Sequence, residues 1–464
     1  MSRALPSRPA LELAASIRQR RVSSEDLVLA CLERIDALNP RLTAFVDVLG
    51  ERALAEARAA DARLRKRGAD LPPFHGVPLA VKDLNLARGS FTRFGSRAFE
   101  HLFVPFDDAV VKQLRRGGFV IVGKTTTSEL GSLPVTEPDI HPPTRNPWDP
   151  EVTAGGSSGG AGAAVASGMV PIAQGSDAAG SIRIPSSFCG LFGIKPSRGR
   201  VENPFGLDDR VLIWTCGPIT RTVDDAAAML DVMAGITVGE PHWAAPPPRP
   251  FAELAREVPR RLKLRLALRS NHVDTDPEIA AATERVARAL EKLGHTLEEK
   301  ALELPAGVLE EFLPVWQATA ASAPVHDWSR TQPVTRWLGE KGRHVDAKAV
   351  ERIIERLMGV VLEQFGDCDA WITPTVAVPP PRIGAWRDLR PPEVFAEASK
   401  LGVFTAPFNI SGQPAASVPA GRSTKGHPIG VQIAGRPLAD GLVLALARQV
   451  EAAMPWSDER PESL

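Results

Sequence analysis

The apolar residues of this chain recur at helical spacing in some stretches and form short continuous runs in others. Behind a polar run at 23–26 that resembles a capping box, apolar residues at 27, 31, 35 and 38 predict a helix. Asn39-Pro40 is expected to end it. An alanine- and arginine-rich segment at 51–66 predicts a second helix. The two helices are expected to form a layer packed on the rest of the chain.

Farther along, short apolar runs alternate with amphipathic periods. The runs predict strands at 77–81, 119–122, 170–174, 263–268, 370–373 and 428–433. The amphipathic periods predict helices at 107–116, 160–167, 222–233, 277–293 and 442–453, and a mostly helical region at 302–365. Such alternation is typical of an α/β sandwich.

Composition narrows the class of protein. Among 464 residues, 55 are Lys or Arg and 55 are Asp or Glu, so no overall field favours nucleic acid or an anionic membrane as a partner. The four cysteines lie far apart, which favours a reduced, cytoplasmic protein. The N-terminus lacks a signal-peptide pattern, and no apolar run is long enough to span a bilayer. Tyrosine is absent, which excludes a phenolic acid or base.

Two lysines, Lys82 and Lys124, lie in patterns that can indicate a functional role. Lys82 comes directly after a buried strand and is followed by Asp83, so it could form an ordinary ion pair or be a desolvated base. Lys124 is the lysine of a literal P-loop pattern at 118–125. The intervening residues of that pattern are the predicted strand itself, so phosphate binding is not expected.

The stretch 153–196 is rich in small residues around two serines, Ser157 and Ser181. Small residues permit unusual backbone dihedrals, and consecutive N–H groups can then converge on an anion. Because apolar segments flank the glycines, a flexible linker is disfavoured.

Gly156-Ser157-Ser158-Gly159-Gly160 also fits a nucleophile elbow centred on Ser158. That pattern arises easily in a glycine-rich run, no strand is predicted before it, and no local motif singles out a partner histidine. A serine activated by a lysine is the alternative.

Several blocks together resemble the amidase signature family. They are Gly76-Val77-Pro78 through Lys82-Asp83, Val122–Thr125, Asn146–Asp149, Gly155–Gly160, Gly175–Pro185, Phe188–Pro196, Phe408–Ala415 and Gly430–Ile433. The resemblance covers nearly the whole chain and is weakest between about 235 and 365.

The resemblance implies a three-layer α/β/α sandwich around a large mixed twisted sheet. It also implies a Ser–Ser–Lys triad, with Ser181 as nucleophile, Ser157 as a bridging serine after a cis peptide, and Lys82 as base. The oxyanion would be bound by the backbone amides of Ala178, Ala179, Gly180 and Ser181. Ser158, Ser176, Asp177 and Arg183 would support the triad, with Asp177 and Arg183 paired. No metal or cofactor is implied.

Two departures from the family pattern concern function. Ala178-Ala179 stands where Thr-Gly is more usual, which bears on the geometry of the oxyanion site. Ile184 stands where the A subunits of glutamine-dependent tRNA amidotransferases usually have Gln, which favours a stand-alone hydrolase. That amidotransferase role is the alternative, and a binding protein without activity is disfavoured because all three triad positions are filled.

The expected substrate is a small molecule, an aryl or medium-chain acyl amide, with esters and carbamates (urethanes) as alternatives on the same triad. Trp316, Trp328 and Trp337 could form an apolar pocket wall or ordinary core. A homodimer is plausible from the family. We expect a helical layer at 1–70, the signature core at 71–235, a divergent helical region shaping the pocket at 236–365, and completion of the core at 366–464, all within one compact domain.

Overall fold

A computed structural model describes residues 5–66, 70–202, 213–235 and 243–462. The strands are β1 (Phe45–Val48), β2 (Pro78–Lys82), β3 (Ser90–Phe91), β4 (Phe103–Val104), β5 (Val120–Thr125), β6 (Ala173–Asp177), β7 (Phe192–Lys195), β8 (Thr215–Thr220), β9 (Lys263–Leu266), β10 (Thr296–Glu299), β11 (Ala370–Pro374), β12 (Ala415–Arg422) and β13 (Pro428–Gly435).

The α-helices are α1 (Ala10–Arg18), α2 (Ser24–Leu42), α3 (Gly50–Arg65), α4 (Ala109–Arg116), α5 (Gly159–Ala166), α6 (Arg183–Cys189), α7 (Val223–Met233), α8 (Phe251–Leu254), α9 (Pro277–Lys292), α10 (Val308–Ala321), α11 (Pro333–Gly342), α12 (Ala347–Phe365), α13 (Pro391–Gly402), α14 (Ala406–Ile410) and α15 (Asp440–Ala453). Within the described residues, no helix has the length and apolar character needed to cross a membrane.

One sheet of eleven strands runs through the molecule in the order β1-β5-β2-β6-β8-β7-β12-β13-β11-β9-β10. It is mixed: β5, β2 and β6 are parallel, as are β11, β9 and β10, and the remaining neighbours are antiparallel. The predicted α/β fold with a large mixed sheet is confirmed.

Alternate residues of the central strands enter different apolar cores. Leu79 and Val81 of β2 pack in one core with α1, α7 and α15, whereas Ala80 packs in the other with α3 and α5. Because side chains alternate across a strand, the two cores lie on opposite faces of the sheet. This arrangement gives three layers, helices over sheet over helices.

Two element boundaries differ clearly from the sequence prediction. The first predicted helix continues through Pro40 to Leu42 and ends at Thr43, which has a left-handed backbone. A proline in the last turn removes only one intrahelical N–H, so the helix persists. The strand predicted at 170–174 begins instead at Ala173, because its pairing with β2 and β8 starts there. The region boundary predicted between residues 235 and 236 adjoins residues 236–242, which lie outside the described residues.

Candidate active site

Lys82 is the last residue of β2, a strand buried along its whole length between β5 and β6. Its side chain is fully buried. The Nζ atom lies 2.7 Å from Ser157 Oγ and 3.0 Å from Ser176 Oγ. The neighbouring Asp83 does not pair with it; that carboxylate accepts a hydrogen bond from Lys124 Nζ at 3.1 Å. The ion pair considered for Lys82 and Asp83 is therefore absent.

Among the described residues Lys82 has no carboxylate partner, and its burial changes its ionisation. Desolvation lowers the pKa of Lys82 from 10.5 to about 7, against the smaller opposing influence of Cys216 and Asp177. A lysine in such surroundings is partly neutral near pH 7, and its lone pair can accept a proton. The side chain can thus act as a base.

Ser157 follows a cis peptide bond with Gly156, as the resemblance implied. A glycine is required before it, because a Cβ atom on Gly156 would lie 2.7 Å from the amide nitrogen of Val135. Ser157 is completely buried, and its carbonyl oxygen accepts a hydrogen bond from the Ser128 amide at 3.3 Å. The backbone is held on both sides of the serine while its Oγ faces Lys82.

Ser181 ends a turn that connects β6 to α6. At Gly180 the backbone has φ of 130°, and a Cβ atom there would lie 2.4 Å from Thr405 Oγ1. Neither Ala178 nor Ala179 has a positive φ, so alanine at these two positions fits the turn without strain. The departure from Thr-Gly therefore does not distort the backbone.

The turn has fewer free amides than the sequence prediction assumed. The Gly180 amide donates to Asp177 Oδ1 at 2.7 Å, so its assignment to the oxyanion site is corrected. In the part of the chain that the structure describes, the amides of Ala178, Ala179 and Ser181 have no hydrogen-bond acceptor. Asparagine and aspartate side chains commonly accept a hydrogen bond from a backbone amide of their own turn in this way.

Asp177 and Arg183 form the expected ion pair, fully buried beneath the turn, with Nη2 to Oδ1 at 2.9 Å and Nε to Oδ2 at 3.0 Å. Asp177 also accepts from the Ile182 amide at 3.1 Å. Arg183 donates further to the carbonyl oxygen of Thr405 at 3.0 Å and to Gln432 Oε1 at 2.6 Å. Burial opposes ionisation of Asp177, but the charge of Arg183 outweighs it and holds the pKa below its usual range. The pair fixes the turn to the C-terminal strands.

Ser158 and Ser176 connect the two serine segments. The Ser158 amide donates to the carbonyl oxygen of Ser181 at 3.2 Å, and Ser158 Oγ donates to the carbonyl oxygen of Ser176 at 3.2 Å. Ser158 is buried at the start of α5 and follows no strand. No histidine among the described residues bonds to either serine segment, so the nucleophile elbow centred on Ser158 is not present.

Ser181 opens into an apolar cavity of about 260 Å³. Ala179 and Ile184 line it with the serine, and helices α10, α12 and α13 supply many of the other lining residues. Trp316 lines the cavity, but Trp328 and Trp337 do not. Of the three tryptophans considered for a pocket wall, one has that role. Within the described ranges, no group of three or more His, Cys, Asp or Glu side chains is placed to hold a metal ion.

The amidase family profile matches residues 26–444 of this sequence. The chain belongs to the amidase family. Among its relatives, a Synechocystis sp. protein named "Putative amidase" is 40% identical over 97% of this chain and 89% of its own length. An acylamidase of Rhodococcus erythropolis is 35% identical over 97% and 96% of the two chains.

A solved structure of a 6-aminohexanoate cyclic dimer hydrolase complexed with substrate covers 98% of this amidase and 99% of its own chain, with a TM-score of 0.90 and 31% identity. Membership of the amidase family makes the protein a hydrolase of amide C–N bonds.

Some residues at the site of this amidase were not anticipated from the sequence. Gly131 and Ser132 line the cavity with Ser181, although they lie in a loop-rich segment without a distinctive pattern. Residues of α13 and α14 line it as well, among them Phe395, Ala406 and Ile410. No sequence pattern indicated that the loop-rich segment reaches the serine.

Proposed function

We propose that this amidase cleaves its substrate through Ser181, Ser157 and Lys82, with an acyl-enzyme intermediate. The observation that carries the proposal is the 2.7 Å contact between Lys82 Nζ and Ser157 Oγ, made by a buried lysine that has no carboxylate partner in the described parts of the chain. Such a lysine can take a proton from the bridging serine, which takes one from the nucleophile.

The reaction then follows in two halves. Ser181 Oγ attacks the carbonyl carbon while its proton passes through Ser157 to Lys82. The tetrahedral intermediate collapses as that proton returns through Ser157 to the amide nitrogen, and the amine leaves. Water attacks the remaining ester by the same route, and the acid product is released with Ser181 protonated again.

The negative oxygen of the intermediate would be bound by the amides of Ala178, Ala179 and Ser181. These are the turn amides without an acceptor within the described residues. A preorganised donor of this kind contributes roughly 3–4 kcal/mol to transition-state stabilisation. Because backbone amides cannot be removed by side-chain substitution, the turn would be tested through Gly180, whose replacement displaces them.

The favoured substrate is an amide of an aryl or medium-chain carboxylic acid. The Ser181 cavity supports this class, because apolar side chains from α10, α12 and α13 surround it. Burial of the apolar surface of the substrate in this cavity would favour binding by about 25 cal/mol per Å² of surface removed from water. The acylamidase among the relatives also supports an acyl amide.

Esters and carbamates are a second candidate class, because the same acyl transfer applies to them. Hydrolysis of matched anilide, ester and carbamate substrates that share one acyl group would rank the three. A role as an amidotransferase A subunit would instead require partner subunits, and co-purification of the native protein would identify them. The homodimer and the cytoplasmic location stay predictions.

Active-site labelling tests the triad directly. A fluorophosphonate should label the wild-type protein on Ser181, as located by peptide mass spectrometry. Ser181→Ala should be unlabelled and inactive with an unchanged melting temperature. Ser167→Ala is the matched control, because Ser167 is also buried but its Oγ donates to the carbonyl oxygens of Ala163 at 2.7 Å and Ala164 at 3.3 Å, both in its own helix. Turnover by Ser181→Ala, or labelling at another serine, would reject the assignment.

A further inference from the structure

Two apolar cavities lie next to each other in this protein, and only one contains Ser181. The Ser181 cavity measures about 260 Å³. The second cavity measures about 220 Å³ and is lined by aromatic and aliphatic side chains that include Phe94, Leu130 and Trp214. The side chains of Ser132 and Trp316 line both cavities. The two spaces therefore meet at this pair of residues.

Helix α10 runs along both cavities. Residues from its first turns, Leu309 and Phe312, line the Ser181 cavity. Residues from its last turn, Thr319 and Ala320, line the second cavity. Trp316 lies between these two sets on the same helix and belongs to both. On α10, Trp316 is thus the residue at which one cavity adjoins the other.

Contacts on three sides hold the Trp316 ring in place. Its Nε1 donates to the carbonyl oxygen of Ser132 at 3.1 Å. The ring lies parallel to that of Trp214, with centroids 6.5 Å apart and 9° between the planes. Phe312 packs against it with centroids 6.0 Å apart. The side chain is buried, and a ring held by a hydrogen bond and two aromatic neighbours makes a rigid wall.

We propose that Trp316 is a specificity-determining residue that sets the longest acyl chain this enzyme accepts, by closing the Ser181 cavity against the second apolar cavity. The proposal rests on the proposed function, in which the acyl chain occupies the Ser181 cavity. An acyl chain that reaches the indole can extend no further in this direction. Removal of the ring would join the two apolar spaces and let longer chains bury additional methylenes.

The test compares kcat/KM for 4-nitroanilides of straight-chain acids, from acetyl to palmitoyl, in wild type and Trp316→Ala. In the wild type, kcat/KM should rise about fourfold per methylene and then stop rising or fall. In Trp316→Ala the rise should continue for at least two further methylenes. Trp316→Phe should keep the wild-type limit, because a ring remains in the gap although the bond to Ser132 is lost.

Two controls separate a wall from a general packing effect. Trp328→Ala is the matched control, because Trp328 belongs to the same helical region and lines neither cavity. It should keep the wild-type limit. Adding Ala320→Phe to Trp316→Ala refills the second cavity and should restore that limit. If Trp316→Ala does not fold, Trp316→Leu provides the same comparison with a smaller opening.

An identical chain-length limit in wild type, Trp316→Ala and Trp316→Leu would overturn the proposal, as would a shift in Trp328→Ala equal to that in Trp316→Ala. Labelling by alkyl fluorophosphonates of increasing chain length gives an independent reading of the same limit. If the wild-type protein were neither labelled on Ser181 nor active on any anilide, the proposed function would fail instead. The two failures are therefore distinguishable.

Discussion

The ionisation of Lys82 should control the acid side of the pH–rate profile. Only the neutral amine can accept the proton from Ser157, so kcat/KM should rise with pH until the lysine is deprotonated and then level off. With a pKa of about 7, this rise should centre near neutral pH. An ordinary lysine would place it at far higher pH.

The magnitude follows from the neutral fraction. At pH 8, a lysine with a pKa of about 7 is about nine-tenths neutral, whereas at its ordinary 10.5 only about 0.3% would be neutral. Burial therefore makes about 300 times more of the base form available at that pH. Below about pH 6, kcat/KM should fall about tenfold per pH unit.

The assay is kcat/KM for an uncharged 4-nitroanilide between pH 5 and 9, because neither this substrate nor its aniline product titrates there. Lys82→Ala should lower kcat/KM by about 10²–10⁴ and abolish the acid limb. Lys195→Met is the matched control: burial also lowers the pKa of Lys195 to about 7, but its Nζ donates to the carbonyl oxygen of Pro196. This variant should retain the limb.

Either of two results would refute the reasoning. One is a limb near pH 7 that persists in the residual activity of Lys82→Ala. The other is a limb that disappears in Lys195→Met while Lys82 is intact. The first would mean that another group supplies the base, and the second that the titrating lysine lies on β7.

Three further predictions concern stability and the turn. Lys82→Met should lower kcat/KM as Lys82→Ala does, yet raise the free energy of unfolding by about 1 kcal/mol at pH 6, because a protonated lysine is costly to bury. The folded pKa of Lys82 is lowered, so its penalty is complete below about pH 7 and fades as pH approaches 10.5; chemical denaturation at pH 6 and 9 should show the gain shrinking. Arg183→Ala leaves the Asp177 carboxylate buried without its cation and should cost about 3–5 kcal/mol in the same assay, a value that a loss below 1 kcal/mol would contradict. Gly180→Ala places a Cβ atom 2.4 Å from Thr405 Oγ1, so kcat/KM should fall at least tenfold; wild-type kinetics would show that the turn tolerates the change.

The local sequence pattern was insufficient to predict which charged residues pair around the active site. Lys82 and Asp83 are adjacent in sequence, and both an ion pair and a free base were reasonable interpretations. The outcome depends on Lys124, which β5 places beside β2 so that its Nζ meets Asp83. Strand pairing between residues some forty positions apart cannot be read from the spacing of apolar residues.

The prediction of strands was limited in the same way, because some strands form only through pairing with distant segments. Several strands rich in branched apolar residues were predicted, including β2 and β11, although β1 was not. β8 (Thr215–Thr220) was missed, since its sequence TCGPIT contains a proline and a glycine and few large apolar residues. It forms a strand because β6 and β7 flank it in the sheet. Tertiary pairing overrides a weak local preference of this kind.

Residue chemistry along the chain specified the α/β alternation, the small residues that permit the tight serine turns, and the family to which the chain belongs. Local composition can do this because backbone permissiveness and apolar periodicity are properties of neighbouring residues. The charge of the lysine, the loss of the Gly180 amide to Asp177, and the wall that Trp316 forms beside Ser181 required the folded chain. Each depends on burial or on contacts between distant segments, and such contacts exist only once the sheet and its helices have assembled.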